Sequence, residues 1–506
     1  MVIGSLPVQC ARRYPEKTAT IFKGQTQTFD QFNKRVNALA NGLRGLGLKK
    51  GDKVSIISRN NPQMLEAMFA AAKCGIIFVP INFRLAAPEL IFVINDAEID
   101  VLFVGDDYQE IIHNIQKDIT CPNIIALRDA YEDMIAKNST TEPEIEVVPD
   151  DMFGIFYTSG TTGGPKGVML THHNFLSAAV NHVIAYQMSP ADVCYHSQPF
   201  YHTMQASLAL CTFYVGGTNF IVDNFDGHEF WAHVRDYGIT SITLVFTMLV
   251  DVLDAFEEGK YQKGSLHSFT VGGQSVPVDV IRRTYELMGQ GMIFQVYGLT
   301  EASPLLTYLP RQEMVLDGEA SRRLASIGKE LFTCHVRVVD DEDRDVAPGE
   351  IGEIIAQGPN VMTGYWKRQE ETEAALRGGW LRTGDMATVD NDGYIYIVDR
   401  KKDLIISGGE NISSREVEEV IRRHPAVHEC AVIGIPDKKW GEQVKACVVL
   451  RQGQAVSEAD MIEFTRNNLA RYKTPKSVVF LPSLPKDPLG KIQKRILRDN
   501  YVKSAA

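Results

Sequence analysis

The sequence contains no Cys-x-x-Cys pair: its eight cysteines (10, 74, 121, 194, 211, 334, 430 and 447) are scattered along the chain. That excludes a zinc knuckle or a disulfide framework as the organising device and fits a reducing, cytoplasmic compartment. Positive charge is in deficit, with 52 Lys and Arg against 63 Asp and Glu and a net charge of −11, so a surface built for nucleic acid is not expected. The N-terminal residues show no basic stretch followed by a long apolar one, and no secretory leader is expected. Residues 193–222 carry no Asp, Glu, Lys or Arg, yet His196, Gln198, Pro199, His202, Gly216, Gly217 and Asn219 interrupt them. A buried segment or a pocket wall fits that run better than a membrane span, although peripheral membrane contact stays open. Repeats of fixed period and low-complexity tracts are also missing.

What is present is a chain of 506 residues, 44% hydrophobic and 23% charged, long enough for two or more folded domains. Apolar runs at Val54–Ile57, Ile76–Val79 and Val101–Val104 alternate with helical patterns at Met64–Ala72 and Pro88–Ile94, the signature of an α/β fold. An earlier helix is marked by Phe32, Val36, Leu39, Leu43 and Leu46, with Thr28 and Gln31 as a capping box and Gly47 as its stop. A strand-like run, Tyr394–Val398, ends in the charged cluster Asp399-Arg400-Lys401-Lys402-Asp403, where a hinge is expected. Beyond it the chain reads as a small α+β module: a capping box Ser413–Glu416 opening a helix, short strands at 431–433, 446–450 and 477–481, and a helix over 458–469. The expected architecture is a large N-terminal domain of mixed, mainly parallel sheets with helices (1–400) and a small C-terminal domain (403–506) on a hinge near 399–403.

The most informative stretch is Tyr157-Thr158-Ser159-Gly160-Thr161-Thr162-Gly163-Gly164-Pro165-Lys166-Gly167, fed by the apolar run Met152–Phe156. Glycines let the backbone close on phosphate oxygens, hydroxyls and N–H groups donate to them, and Lys166 adds a cation. The order does not fit the Walker A spacing, which weakens a P-loop kinase or ATPase reading. A polar surface loop rich in turn formers is the plain alternative.

This loop resembles the phosphate loop of the adenylate-forming superfamily: acyl-CoA synthetases, peptide synthetase adenylation domains and firefly luciferase. The resemblance extends through Pro199–His202, Gly272–Ser275, Tyr297–Glu301, Gly379–Asp385, Asp399–Asp403, Ser407–Asn411 and Pro485–Lys491. It therefore spans nearly the whole chain. It implies an ATP-dependent carboxylic acid CoA ligase that forms acyl-AMP and pyrophosphate, then acyl-CoA and AMP, with ATP, Mg²⁺ and coenzyme A required. An acyl carrier protein in place of coenzyme A, or a catalytically silent nucleotide-binding protein, are the rival readings; a homo-oligomer stays open.

The same resemblance assigns roles. Thr158, Ser159, Gly160, Thr161, Thr162, Gly163 and Lys166 would hold the phosphates, and Thr158 would also act in catalysis. Glu301, a hard oxygen ligand, would bind Mg²⁺, with Thr300 and Gly298 beside it and Tyr297 against the adenine. Gly273, Gln274 and Ser275 would form the adenine turn, while Asp385 and Arg400 would hold the ribose. Lys491 would stabilise charge on the α-phosphate during adenylation. It sits in a tail, 471–506, that holds nine Lys or Arg and two Asp, a local excess suited to polyanions. Gly408 and Gly409 would line the pantetheine path, Trp440 would stack the coenzyme A adenine, and Lys402 would be the hinge.

For the acid, the sequence lacks the Asp that amino-acid-activating relatives place where Phe200-Tyr201-His202 stands, and it has Val296 where dicarboxylate-activating relatives carry Arg. The expected pocket segments, Tyr195–Leu210, Ile242–Leu249 and Val296–Leu306, read as apolar and aromatic. A medium- or long-chain fatty acid is favoured, with an aryl acid as the alternative. Phe246 would shorten the tunnel, and His202 would stand beside the reacting carboxylate or, alternatively, be a satisfied buried histidine.

Overall fold

The computed structural model describes residues 1–158, 165–259, 261–272, 276–407, 410–437, 439–486 and 492–502. Ser159, Gly160, Thr161, Thr162, Gly163, Gly273, Gln274, Ser275, Gly408, Gly409 and Lys491 lie outside them. Two compact units emerge: residues 1–336 with 356–382, and residues 337–355 with 383–506.

In the first unit the local signals translate directly into elements. The helix Phe29–Gly45 starts at a complete capping box, Gln31 N–H donating to Thr28 Oγ1 (3.2 Å) and Thr28 N–H to Gln31 Oε1 (2.9 Å). These bonds satisfy donors that the first turn leaves open. Phe32, Val36, Leu39 and Leu43 are buried, whereas Leu46 lies past the last turn and is exposed. Gly47, at φ +93°, ends the run.

Two sheets form the body of this unit. One has seven strands in the order 364–365, 166–171, 152–158, 77–80, 53–57, 101–104, 123–126. Its central pairings are parallel, and its two pairings beyond 152–158 are antiparallel. The other has nine strands in the order 329–330, 307–309, 293–297, 268–271, 241–244, 193–196, 218–221, 18–22, 25–28. Its parallel run extends from 18–22 to 293–297. Strands such as Ile77–Pro80 and Val101–Val104 are buried along their whole length, which is why they read as continuous apolar runs. The uncharged stretch 193–222 folds as a strand, the helix Thr203–Val215 and a second strand. No helix among the described residues is long and apolar enough to cross a membrane.

The second unit includes a sheet of strands 410–412, 405–407, 441–450 and 427–437, with 477–480 paired parallel to 441–450. The helix Ser414–Arg422 turns Val417, Val420 and Ile421 inward, and Ser413 Oγ accepts from Glu416 N–H at 3.2 Å. The other half of the expected box does not form, because the Glu416 carboxylate pairs with Lys473 at 2.7 Å. All eight cysteines are free and buried.

Burial also sets an acid limit on the first unit. Burial pushes His172 and His182 down to about 4 and His196 down to about 3. Each native value lies below the unfolded one near 6.5, so the unfolded chain binds more protons as pH falls, and stability is lost on going down from about pH 6.5. Three such rings contribute a slope of up to about 4 kcal/mol per pH unit near pH 5. Urea unfolding midpoints should therefore drop steeply between about pH 7 and about pH 5; a flat profile would contradict neutral burial of these rings.

Candidate active site

Strand Met152–Thr158 leads into the phosphate-loop sequence, and strand Lys166–Thr171 leads out, paired antiparallel with Thr158 opposite Lys166. Both flanks of the loop are thus fixed by the sheet, and the Thr158 hydroxyl reaches the Lys166 carbonyl at 3.5 Å. The start of the loop is held again by Asp96, which accepts from the Tyr157 hydroxyl at 2.7 Å. Asp96 also pairs with Arg368 at 3.0 Å, and its carbonyl accepts from Trp366 Nε1 at 2.9 Å. Burial and the Asp96 carboxylate together push the Tyr157 hydroxyl far above its ordinary pKa, so it stays a donor.

Strand Ile293–Tyr297 ends at Gly298, and the chain then makes the short 3₁₀ turn Thr300–Ala302. Only glycine fits at 298: a Cβ there would stand 1.9 Å from the Pro304 carbonyl oxygen and 2.6 Å from Leu305 Cα. Tyr297 and Glu301 are half-buried. The Glu301 carbonyl accepts from Met362 N–H at 2.8 Å, and its Oε1 accepts from the Tyr365 hydroxyl at 2.8 Å. The other oxygen, Oε2, is the one a cation would reach. Among the described residues no three His, Cys, Asp or Glu side chains converge as a metal cage. A single hard carboxylate oxygen, joined through Tyr365 to Lys166, fits Mg²⁺ that would be held mainly by substrate phosphates and water.

Tyr365 also links the two halves of this arrangement, since the Lys166 ammonium lies 5.3 Å from its ring centroid. Its strand, Gly364–Tyr365, pairs with Lys166–Thr171. Neither Tyr365 nor Asp96 is singled out by the sequence; only the Gly-Tyr-Trp run hints at a fixed turn.

His202 caps the helix Thr203–Val215 at the end of the Pro199–His202 turn. Burial, with the Arg84 charge adding to it, pushes its pKa down to about 4, so the ring is neutral near pH 7. The next residue, Thr203, has its hydroxyl 3.5 Å from that of Thr300, which brings His202, Thr300 and Glu301 into one neighbourhood. Phe246 is half-buried and begins the helix Phe246–Gly259.

In the second unit Asp385 and Arg400 face each other across antiparallel strands, with Arg400 Nε 3.5 Å from Asp385 Oδ1. The sequence separates these two by fifteen positions; the register makes them neighbours. Lys402 is exposed two residues on. Trp440 is 43% exposed, with the Lys439 ammonium 4.6 Å from its ring centroid.

Residues 8–366 match the AMP-binding enzyme family, and residues 416–491 match the AMP-binding enzyme C-terminal domain. The chain belongs to the AMP-binding enzymes. It is therefore an AMP-forming ligase of the adenylate-forming superfamily, as the run of motifs implied. Among curated relatives it is 37% identical over 501 residues to a feruloyl-CoA synthase of Amycolatopsis sp, covering 99% of each chain. It is 32% identical to the fatty acid--[acyl-carrier-protein] ligase ScoC of Streptomyces coeruleorubidus, covering 97% of this chain and 95% of the other. Its fold superposes on o-succinylbenzoate CoA synthetase from Bacillus subtilis in complex with its acyl-adenylate, at TM-score 0.88 and 31% identity over 98% of both chains.

Proposed function

We propose that this enzyme is an ATP-dependent CoA ligase for aromatic carboxylic acids. The observation that carries the reading is the end-to-end 37% identity to a feruloyl-CoA synthase, set beside a site with a phosphate loop and a lone carboxylate ligand. In the first half-reaction Thr158 and Lys166 hold the ATP phosphates, together with Ser159, Gly160, Thr161, Thr162 and Gly163. Tyr297 and the Gly273–Ser275 turn receive the adenine, and Asp385 and Arg400 receive the ribose. Mg²⁺, when bound at Glu301, supplies charge neutralisation at the phosphates. His202, neutral at working pH, orients the acid carboxylate without competing for it as a cation. Lys491 stabilises the charge that builds up on the α-phosphate.

In the second half-reaction the chain pivots near Asp399–Asp403 at Lys402, bringing the Gly408–Gly409 segment to the thiol arm while Trp440 stacks the coenzyme A adenine. Eight buried free thiols suit a reducing compartment such as the cytoplasm.

Acid choice is tested by AMP release with coenzyme A across acetate to palmitate, benzoate and hydroxycinnamates, compared as kcat/KM. Ring acids should lead by at least about tenfold. A maximum among alkyl acids would replace the aromatic reading with a fatty acyl one, the class of the ScoC relative.

A further inference from the structure

The last turn of the helix Ala87–Ala97 carries an acid where the helix itself gains nothing from one. Asp96 stands at the negative end of the helix dipole, and no basic residue of the same turn offsets it. Its partners come instead from two distant segments. The carboxylate, 12% exposed, accepts from the Tyr157 hydroxyl at 2.7 Å through Oδ2 and from Arg368 Nη2 at 3.0 Å through Oδ1. The Asp96 carbonyl is one of the acceptors that a helix end leaves open. It takes Trp366 Nε1 and the Lys367 ammonium, each at 2.9 Å. Lys367 also reaches Glu98, the residue that caps the helix, at 3.0 Å.

Each segment leads to a different half of the candidate site. Tyr157 immediately precedes Thr158, and alternation along the strand turns the two side chains to opposite faces. Tyr157 therefore meets Asp96 on the face away from the Thr158 side chain and acts on Thr158 by fixing the backbone that carries it. Gly167, opposite Tyr157 in the register, leaves room for this contact. A Cβ there would lie 3.2 Å from Tyr157 Cζ and 3.3 Å from Trp366 Cβ, so both side chains close over the residue next to Lys166.

The other segment follows Tyr365 directly. Trp366 N–H donates to the Gly167 carbonyl at 2.8 Å and Arg368 N–H to the Tyr365 carbonyl at 3.2 Å, while the Tyr365 hydroxyl holds Glu301. Asp96 is thus shared between the strand that enters the phosphate-loop sequence and the turn that carries the grip on Glu301.

We propose that Asp96 is a positioning residue of the adenylation half-reaction: through Tyr157 it fixes Thr158, and through Arg368 and Trp366 it fixes Tyr365 and with it Glu301. The phosphate-holding residues and the Mg²⁺ ligand are then set at one spacing, the spacing that the ATP phosphates and their metal ion must span together. The proposal rests on the roles given above to Thr158, Lys166 and Glu301, and it adds a residue that touches no substrate and lies in none of the motifs. It also predicts which steps escape. Thioester formation from supplied acyl-AMP involves neither the β- and γ-phosphates nor their Mg²⁺, and the acid does not depend on that spacing.

The test measures both half-reactions, and equilibrium ATP binding with and without Mg²⁺, in Asp96→Ala and Tyr157→Phe. Asp96→Ala should raise KM for MgATP and the Mg²⁺ concentration that half-saturates ATP–pyrophosphate exchange by at least about tenfold. ATP binding should weaken to a similar degree with Mg²⁺ and less without it. KM for the acid and the rate of thioester formation should stay within about twofold of native. Arg368 is 28% exposed and can turn its charge to water in this variant. Tyr157→Phe cuts only the link to the strand, so it should raise KM for MgATP by about fivefold and leave the Mg²⁺ requirement unchanged. A buried ion pair kept only for folding would instead lower the unfolding midpoint and depress both half-reactions alike. That pattern, or a native KM for MgATP in either variant, overturns the proposal. Tyr157→Phe removes one oxygen and keeps the ring, so it decides even if Asp96→Ala fails to fold. A Glu301→Gln enzyme with the native Mg²⁺ requirement would overturn the metal assignment beneath the proposal instead.

Discussion

Replacing Glu301 by glutamine should lower acid-dependent ATP–pyrophosphate exchange by about two to three orders of magnitude while leaving the thermal unfolding midpoint nearly unchanged. The amide has the size of the carboxylate, and the turn around it is held by other groups. Met362 N–H donates to the residue 301 carbonyl at 2.8 Å, and Asn360 Nδ2 donates to the Ala302 carbonyl at 2.9 Å. Tyr365 can donate to an amide oxygen as it does to Oε1. What disappears is the negative charge and the hard ligand that Oε2 offers to Mg²⁺. The exchange should accordingly need far more Mg²⁺, and equilibrium ATP binding should lose its dependence on the ion. Tyr365→Phe should shift the Mg²⁺ requirement the same way, by about tenfold, because the carboxylate loses one charge-assisted hydrogen bond. Native exchange at native Mg²⁺ in the Glu301 variant would remove this residue from the metal role.

Lys491→Ala should separate the two half-reactions. Adenylation should fall by at least about three orders of magnitude, whereas thioester formation from supplied acyl-AMP and coenzyme A should continue near the native rate. The cation is needed where attack of the carboxylate concentrates charge on the α-phosphate and the leaving pyrophosphate. Once acyl-AMP exists, thiol attack displaces AMP and makes no comparable demand. The described flanks of Lys491 are anchored: Lys486 and Ile492 form an antiparallel bridge, and Gln493 N–H donates to the Pro485 carbonyl at 2.8 Å. Removing one side chain between them therefore leaves those pairings in place. Equal loss of both half-reactions would sink the scheme in which the hinge presents different residues in turn.

Much of this molecule is written locally. Helix and strand positions follow from periodicity and capping, because these depend on residues three or four apart, and Thr28 with Gln31 forms the anticipated box. The motifs from Thr158 to Arg400 also declare the family, since the resemblance is carried by particular residues in short runs. The Ser413 cap shows the limit even at short range: Glu416 leaves the box for Lys473, a partner 57 positions away whose charge outcompetes a backbone N–H.

The choice of acid shows a stronger limit. Tyr195–Leu210 and Ile242–Leu249 read as apolar and aromatic, which suits a fatty or an aryl acid alike. Strand alternation and sheet register decide which of those side chains share a face, and composition averaged along the chain carries no trace of that.

By itself, then, the sequence determined the family, the α/β class and the short motifs by which the family is recognised, because each depends on neighbours along the chain. Tertiary structure alone decided that Tyr365 grips Glu301 from 64 residues away, that Asp96 braces Tyr157 across 61, and that Arg400 meets Asp385 across a strand pair. Such contacts arise from sheet register and side-chain reach, which no local pattern of residues encodes.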